Sequence, residues 1–395
     1  SELYDAAAQE FQRLTRYDRV MVYRFLDDDS GMVVGERVTG EMESFLNHRF
    51  PASDIPKQAR ALYVRNLVRV IPDAGYVPAP LRPAWHEPQP LDLSDSILRS
   101  VSPIHIQYLR NMGVGASASI SIVRDGALWG LIACHSRTPR HISAERRTAC
   151  RALAAGLARQ IRAREDTDLY RERVRLRTFE DDIVAILSRD GSLDRAISNH
   201  VDEIRRMLDA DGLAVLRGSD LVVGGACPPE SAIREIAAWV LPKAAEAVYA
   251  TDALGDKHPD AAGRGRHAAG LLAITLSTTE PWVVMWFRAE HLQVVNWAGN
   301  PHEKGSGAEG ILTPRASFAA WSETVEGRAR RWTLPEIEAA GRMRTAVTAV
   351  WQNRRILDLN RQLFATLDEK DMLIRQNGYL MREVNHRVPN SLQLV

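Results

Sequence analysis

The stretch Ala116-Ser-Ala-Ser-Ile-Ser-Ile-Val123, followed by Asp125-Gly126 and then by Leu128-Trp-Gly-Leu-Ile-Ala-Cys-His135, decides the fold class. Apolar residues alternate with serines at period two, the repeat of a strand with one buried face. Asp-Gly is the turn chemistry of a tight hairpin. Ser117 and Ser119, two apart, therefore share a face. Upstream, Arg19-Val-Met-Val-Tyr-Arg-Phe25 is a further β-rich run, and a second set of the same kind follows at Gly212 to Leu216, Leu271 to Leu276 and Trp282 to Phe287. This repetition predicts an α+β chain of two related domains in tandem, each an antiparallel sheet flanked by helices.

Long helices are expected around these sheets. From Ser143 to about Phe179 the chain has no proline, and Leu153, Leu157 and Ile161 fall at i, i+4 and i+8. Ser143 is placed to cap this helix, with Glu145 in its first turn, and the helix joins the two domains. Thr333 and Glu336 have the spacing of a capping box, which predicts a second long helix. Along it Val350, Leu357 and Phe364 recur every seven residues, and Leu367, Ile374 and Met381 do so three residues out of phase. That is the seam of a parallel coiled-coil dimer.

With 395 residues, 45% hydrophobic and 26% charged, the chain is globular in composition and long enough for two domains. A net charge of +1 gives no general attraction to nucleic acid or to an anionic membrane. The three cysteines, Cys134, Cys150 and Cys227, are far apart and lack metal-ligand spacing, which points to neither a disulfide framework nor a zinc site and suits a reducing cytoplasm. No apolar run reaches the roughly 18 residues of a membrane span. The chain starts at Ser1 and stops at Val395 within an apolar helical pattern, so a piece of a longer protein is expected.

No nucleophile elbow, phosphate-binding glycine loop or metal motif occurs, and the enzyme templates fail. What remains suits a ligand site. Pro51-Ala-Ser-Asp-Ile-Pro56 holds Asp54 between two prolines that restrict the backbone. Tyr63, Arg69, Arg99, Ser102, His105, Tyr108, Ser117, Ser119 and His135 supply guanidiniums, hydroxyls and imidazoles within one domain, and arginine forks bind carboxylates. Taken singly, each is more readily a surface ion pair, a turn residue or a satisfied core polar group.

Longer strings add a resemblance. Phe50-Pro-Ala-Ser-Asp-Ile-Pro56, Arg99-Ser-Val-Ser-Pro-Ile-His-Ile-Gln-Tyr-Leu-Arg-Asn-Met-Gly113 and Leu128-Trp-Gly-Leu-Ile-Ala-Cys-His135 resemble the GAF domain of phytochromes, bacteriophytochromes in particular. Trp286-Phe287-Arg288, Trp297-Ala-Gly-Asn-Pro301 and Pro314-Arg-Ala-Ser-Phe318 resemble the phytochrome-specific PHY domain. The resemblance implies two GAF-like domains: a chromophore-binding domain over residues 1–165, a PHY domain over 166–345 with a tongue at about 283–320, and a helical linker over 346–395. It implies a red/far-red light photoreceptor that binds a linear tetrapyrrole, biliverdin.

In that frame Arg69 and Arg99, with Ser102, Ser117 and Ser119, face two propionates. Asp54 and His105 lie near the pyrrole nitrogens, Met21, Tyr23, Phe50, Tyr63 and His135 surround the ring that rotates, and Ile55, Pro56 and Tyr108 complete the pocket. The glycine-rich stretch Gly299 to Gly310 belongs to the tongue, with Arg315 pairing with Asp54 and Ser317 in the same signalling motif. Ile104 stands where plant and cyanobacterial members carry their attachment cysteine, so the resemblance implies binding without a thioether from this chain. Glu383-Val-Asn-His-Arg-Val-Pro-Asn-Ser-Leu-Gln-Leu-Val395 resembles the phospho-acceptor box of HWE-type histidine kinases, with His386 as acceptor and Pro389 where the family usually has lysine. The expected partners are a second copy of the chain and, through a downstream output domain, a response regulator; the alternative is a chromophore-free GAF-type module that binds a small anion or only dimerises.

Overall fold

The structure, a computed structural model, describes residues 2–86, 88–89, 91–96, 99–189, 193–243, 248–258, 265–301 and 317–392. In chain order the elements are α1 (Glu2–Thr15), β1 (Arg19–Phe25), β2 (Gly31–Val38), β3 (Arg49–Phe50), a 3-10 turn (Ala52–Asp54), α2 (Lys57–Arg65), β4 (Val68–Ile71), α3 (Pro103–Asn111), β5 (Ala116–Arg124), β6 (Ala127–Ser136) and α4 (Ala144–Arg189). Then come α5 (Leu193–Asn199), α6 (Val201–Met207), β7 (Gly212–Arg217), β8 (Asp220–Gly225), α7 (Glu230–Val240), β9 (Val248–Thr251), α8 (Leu254–Lys257), α9 (Gly265–Ala268), β10 (Gly270–Ser277), β11 (Trp282–Arg288), β12 (Gln293–Ala298), β13 (Ala320–Val325) and α10 (Leu334–Leu392). The chain forms two compact units, residues 1–169 with 292–325 and residues 170–291 with 326–395.

The first unit is built on an eight-stranded sheet in the order β13-β12-β3-β2-β1-β6-β5-β4. Even-numbered residues of its central strands (Val20, Val22, Ala118, Ile120, Ile122, Ile132, Cys134) pack on Ala8 and Phe11 of α1 and on Ala154, Leu157 and Ile161 of α4. Leu153, expected on that face, is 38% exposed; at four residues per repeat the stripe drifts around a helix of 3.6 residues per turn. The β5–β6 hairpin turns at Asp125 and Gly126, with φ of 49° and 79°. Positive φ at both central residues matches a type I′ turn and explains the Asp-Gly pair. The Ser143 hydroxyl accepts from the Arg146 amide at 3.4 Å and caps α4.

The second unit has a five-stranded antiparallel sheet, β8-β7-β11-β10-β9, buried on both faces. One face meets α5, α6 and α10 through Ile197, Ile204, Trp286, Ala340 and Met343. The other meets α7 through Ile233, Ile236 and Ala237 against Leu271, Val283 and Met285. Every residue of Trp282–Arg288 is buried, so these residues belong to a central strand. Residues 283–288, included in the tongue expected at about 283–320, are thus part of this sheet, while the hairpin of β12 and β13 lies within Leu292–Val325 and belongs to the first unit.

The expected capping box forms, the Thr333 amide donating to Glu336 Oε2 at 2.9 Å and the Glu336 amide to Thr333 Oγ1 at 3.3 Å. Glu336 is also the partner of Arg288 at the end of β11, at 2.6 Å, with side-chain exposures of 1% and 3%. The guanidinium donates as well to the Leu208 and Arg331 carbonyls and lies 3.7 Å from the Trp332 ring centre. Beyond Trp351, Leu357, Phe364, Leu367, Ile374 and Met381 are exposed on α10. Arg288→Ala takes from the buried Glu336 carboxylate its nearest charge partner, leaving Arg330 at 3.4 Å, a loss of about 3–5 kcal/mol. Urea unfolding followed by hydrogen exchange in β11 should show it, and a loss below about 1 kcal/mol would contradict this role for the pair.

Candidate functional site

The sheet register of the first unit assembles a site on the face opposite the α1–α4 core. Arg19 stands opposite His135, and His135 opposite Ser117. In the next row Met21 is opposite Ala133, Ala133 opposite Ser119, and Ser119 opposite Arg69. A third row runs from Tyr23 through Leu131 to Ser121. Pleating turns all of these odd-numbered residues to one side.

Over the Tyr23 end lies an apolar cluster of Met21, Tyr23, Val33, Phe45, Phe50 and Leu131, with Ile55, Tyr63 and Tyr108 packed against it. Tyr23 meets Phe25 edge-on at 5.3 Å and Phe50 at 5.8 Å. Its ring lies over Gly31, where a β-carbon would overlap it; glycine is needed there for this close approach. Burial pushes the Tyr23 phenol up, and the Asp54 charge adds to this.

Asp54 closes the 3-10 turn, and Pro56 leads directly into α2. Its Oδ2 accepts from the Tyr108 hydroxyl at 2.9 Å. Arg60 holds this corner: its Nε donates to the Ile55 carbonyl at 2.9 Å, its Nη1 pairs with Asp29 at 2.8 Å, and the guanidinium covers Phe25. His105 stacks on Tyr108 within α3, rings 6.1 Å apart. Burial lowers the His105 imidazole, and the Arg69 charge lowers it further. Ser102 is the N-cap residue of α3, but its side chain does not bond the helix.

At the β4 edge Arg69 lies over the Tyr63 ring at 5.5 Å. Arg99 donates to the Ser96 carbonyl at 2.7 Å. Its guanidinium is lowered by burial and then by Arg69. Two cations that oppose each other beside the serine row make an edge suited to carboxylates.

The hairpin of the later segment completes the unit. Trp297 of β12 pairs in parallel with Arg49 of β3. Ala298 and Phe318 join the apolar cluster, and Phe318 meets Tyr108 edge-on at 4.9 Å. Trp297 Nε1 donates to Glu323 at 3.1 Å, and Ser317 Oγ accepts from the Ala319 amide at 3.2 Å. Arg315 lies outside the described residues. His386 lies on α10, whose helical backbone includes Pro389, and its side chain is outside the description.

Sequence reasoning left Arg19 without a role. The parity of Arg19-Val-Met-Val-Tyr23 could have found it, since Arg19 shares its face with Met21 and Tyr23. The side chain is 1% exposed. Its Nη2 is 2.9 Å from His135 Nδ1, its Nη1 donates to the Glu43 carbonyl at 2.8 Å, and the guanidinium covers the Phe45 ring at 4.4 Å. Burial pulls it down to about 10, against the pull of Glu36 and Glu43.

The GAF domain model matches residues 1–163 and the phytochrome region model matches residues 176–356. A bacteriophytochrome crystal structure from the photosynthetic bacterium R. palustris superposes with a TM-score of 0.78 at 40% identity, over 89% of this chain and 71% of that one. The Stigmatella aurantiaca phytochrome photosensory core module gives 0.74 at 37%, over the same 89% and 71%. The chain belongs to the phytochrome family. Among curated proteins, cyanobacterial phytochrome B of Nostoc sp. is 39% identical over 89% of this chain and 47% of its own length. The bacteriophytochrome of Xanthomonas campestris pv. campestris is 37% identical over 88% and 57%. This phytochrome chain thus spans about half the length of the curated relatives it matches.

In this phytochrome chain Cys134 and Cys150 are buried, and burial pushes the Cys150 thiol up to about 11 and the Cys134 thiol higher still; Cys227 is raised too. Such thiols are poor nucleophiles. Among the described residues there is no His, Cys, Asp and Glu group that could hold a metal, and no helix is long and apolar enough to cross a membrane.

The histidines give a pH dependence. Burial, then Arg19 and His105, hold His135 well below its ordinary 6.5. The unfolded chain takes up a proton near 6.5 that the folded chain refuses. The stability is therefore complete above about 6.5 and falls with pH, by up to about 1.4 kcal/mol per pH unit for each such histidine until its folded value is reached. Urea midpoints at pH 7.5 and 5.5 should differ more in the wild type than in His135→Gln; an equal difference would contradict a neutral buried His135.

Proposed function

We propose that the first unit is the sensory part of a red/far-red photoreceptor and holds biliverdin without a covalent bond on the polar face of its sheet. The observation that carries this reading is one face with two unlike ends: the cationic edge of Arg69 and Arg99 beside Ser117 and Ser119, and a buried apolar end of Met21, Tyr23 and Phe50, with His135 in the row of Ser117. A linear tetrapyrrole has this polarity, with two propionates on its middle rings and an apolar conjugated body, and when bound it supplies absorption of red light and a double bond that twists.

The residues divide the work by their chemistry. Arg69 and Arg99 form charge-assisted hydrogen bonds to the carboxylates, with Ser102, Ser117 and Ser119 filling the remaining lone pairs. Asp54, next to the Tyr108 hydroxyl, balances a protonated ligand, and His105, held neutral, both accepts and donates there. Tyr23, Phe50, Met21 and Tyr63 wall off competing torsions, while Ile55, Pro56 and Phe318 exclude water. The β12–β13 hairpin that carries Phe318 and Ser317 is the element able to pass a change at Asp54 onward, and Arg315 is its proposed partner there.

In this reading the exposed seam of α10 from Leu357 to Met381 pairs with a second copy, and the output is a cytoplasmic histidine kinase reaction, with His386 as acceptor and a response regulator as partner. Neither nucleic acid nor membrane is required.

The test is addition of biliverdin to the folded protein. A red absorption band that converts under red light is expected, with no zinc-induced fluorescence on a denaturing gel. Arg69→Ala with Arg99→Ala should weaken binding at least tenfold, since hydrogen bonds to charged groups are worth about 1.5–3 kcal/mol each. A flat spectrum with the fold intact would favour a chromophore-free module, and a fluorescent band would assign a linkage to one of the three cysteines.

A further inference from the structure

Three parts of the first unit meet at one guanidinium. Arg60 Nε donates to the Ile55 carbonyl at 2.9 Å, Nη1 to Asp29 Oδ1 at 2.8 Å, and Nη2 to the Asp29 carbonyl. The guanidinium carbon lies 4.4 Å from the centre of the Phe25 ring, and the side chain is only 16% exposed. Asp29 sits in the β1–β2 turn with φ of 65°, in a loop closed by the Leu26 amide on the Ser30 carbonyl. Ile55 follows Asp54 directly, in a turn that its own backbone closes through the Asp54 amide on the Pro51 carbonyl at 3.1 Å. Pro51 and Pro56 restrict the backbone around Asp54 without tying it to the sheet. Arg60 supplies such a tie.

A guanidinium suits this place and an ammonium does not. Its donors diverge in one plane, so the Nε edge reaches one carbonyl while the Nη groups take a carboxylate and a second carbonyl. Lys57, one turn earlier on α2, reaches Asp29 Oδ2 at 3.4 Å with its side chain 84% exposed. The clasp bears on Tyr23 as well. Gly31, two residues after Asp29, lies beneath the Tyr23 ring, and Phe25, under the guanidinium, meets that ring edge-on.

We propose that Arg60 is a positioning residue of the site: by clasping the Ile55 carbonyl to the β1–β2 turn it fixes the direction of the Asp54 carboxylate, and through it the proton affinity of the bound tetrapyrrole. This rests on the functional reading above and adds to it a residue outside the ligand's own contacts. The hold of a carboxylate on a protonated ligand depends on distance and alignment. A turn released from the sheet weakens that hold, and the ligand then gives up its proton at lower pH.

The charged and titratable groups facing this corner come from several elements: Asp28 and Asp29 in the β1–β2 turn, Arg49 on β3, Lys57 and Tyr63 on α2, Tyr23 on β1 and Tyr108 on α3. Asp29 balances Arg60 and Lys57, and Asp28 balances Arg49. Burial and the Asp54 charge keep the Tyr23 phenol protonated. The Tyr108 hydroxyl donates to Asp54.

The test begins in the ligand-free protein, with ¹³C NMR of the Asp54 carboxyl carbon in wild type, Arg60→Gln and Arg60→Lys, assigned by Asp54→Asn. One sharp signal is expected in the wild type. Both variants should shift or split it, while the Ser117 and Ser119 amide signals stay in place. An Asp54 signal unmoved in Arg60→Gln overturns the proposal. So does a change that spreads equally to the serine row, the mark of a merely structural role. Full restoration by Arg60→Lys, which keeps the charge without the fork, overturns it too. If Arg60→Gln does not fold, Arg60→Lys alone decides.

Biliverdin is then added and the long-wavelength band titrated. In both variants the ligand should lose its proton at a pH lower by about one unit, a tenfold change. In an Asp54→Asn background Arg60→Lys should add nothing, because the two residues act through one carboxylate. An unshifted titration, or an additive shift in the double variant, overturns the route through Asp54. A wild type that takes up no biliverdin overturns the functional reading and the proton-affinity claim with it, while the ligand-free carboxyl signal independently decides whether Arg60 positions Asp54.

Discussion

The pleat of one antiparallel sheet governs the first unit. Val20, Val22, Ala118, Ile120, Ile122, Ile132 and Cys134 must all face α1 and α4 to make the core. Once they do, residues 19, 21, 23, 117, 119 and 135 have no choice of side. A slip of one residue would bury the serines, Arg19 and His135 against the helices and expose the isoleucines. The cost of that slip, several buried apolar side chains at about 1.5–3 kcal/mol each, is what holds the site residues in place. Packing energy on one face thus supplies the positional accuracy of the chemistry on the other.

The same sheet explains the later hairpin. β3 is only two residues long, and it would otherwise leave an edge beside the aromatic cluster. β12 adds to that edge through the Trp297 and Arg49 pairing, bringing Ala298 and Phe318 into contact with the cluster around Tyr23 and Phe50. Such a short parallel pairing contributes few hydrogen bonds. Phe318, edge-on to Tyr108, ties it to that cluster. An element held by a small number of contacts beside this cluster is suited to switching.

Much of this was legible in the sequence because its causes are local. Arg19–Phe25 reads as a strand and is one with the same limits; Asp125-Gly126 turns the hairpin; Ser143 caps α4; Thr333 and Glu336 form their box. Trp282–Arg288 is buried on both faces and so carries no alternation; its β-rich composition marks a strand but not its place at the centre of a sheet. Arg19 bonds a residue 116 positions away. Its parity was readable, but whether it faces solvent, carboxylate or imidazole depends on register across β6. The pairing of β12 with β3 is likewise a long-range outcome with no local signal.

The measurement that tests the account most directly is a crystal structure of the protein loaded with biliverdin in the dark. The expected result is the ligand on the odd-numbered face of the sheet, with both propionates within hydrogen-bonding distance, at most about 3.2 Å, of Arg69, Arg99 or the serine row. A tetrapyrrole bound elsewhere, or on this face with its propionates at Tyr23 and Phe50, would contradict it.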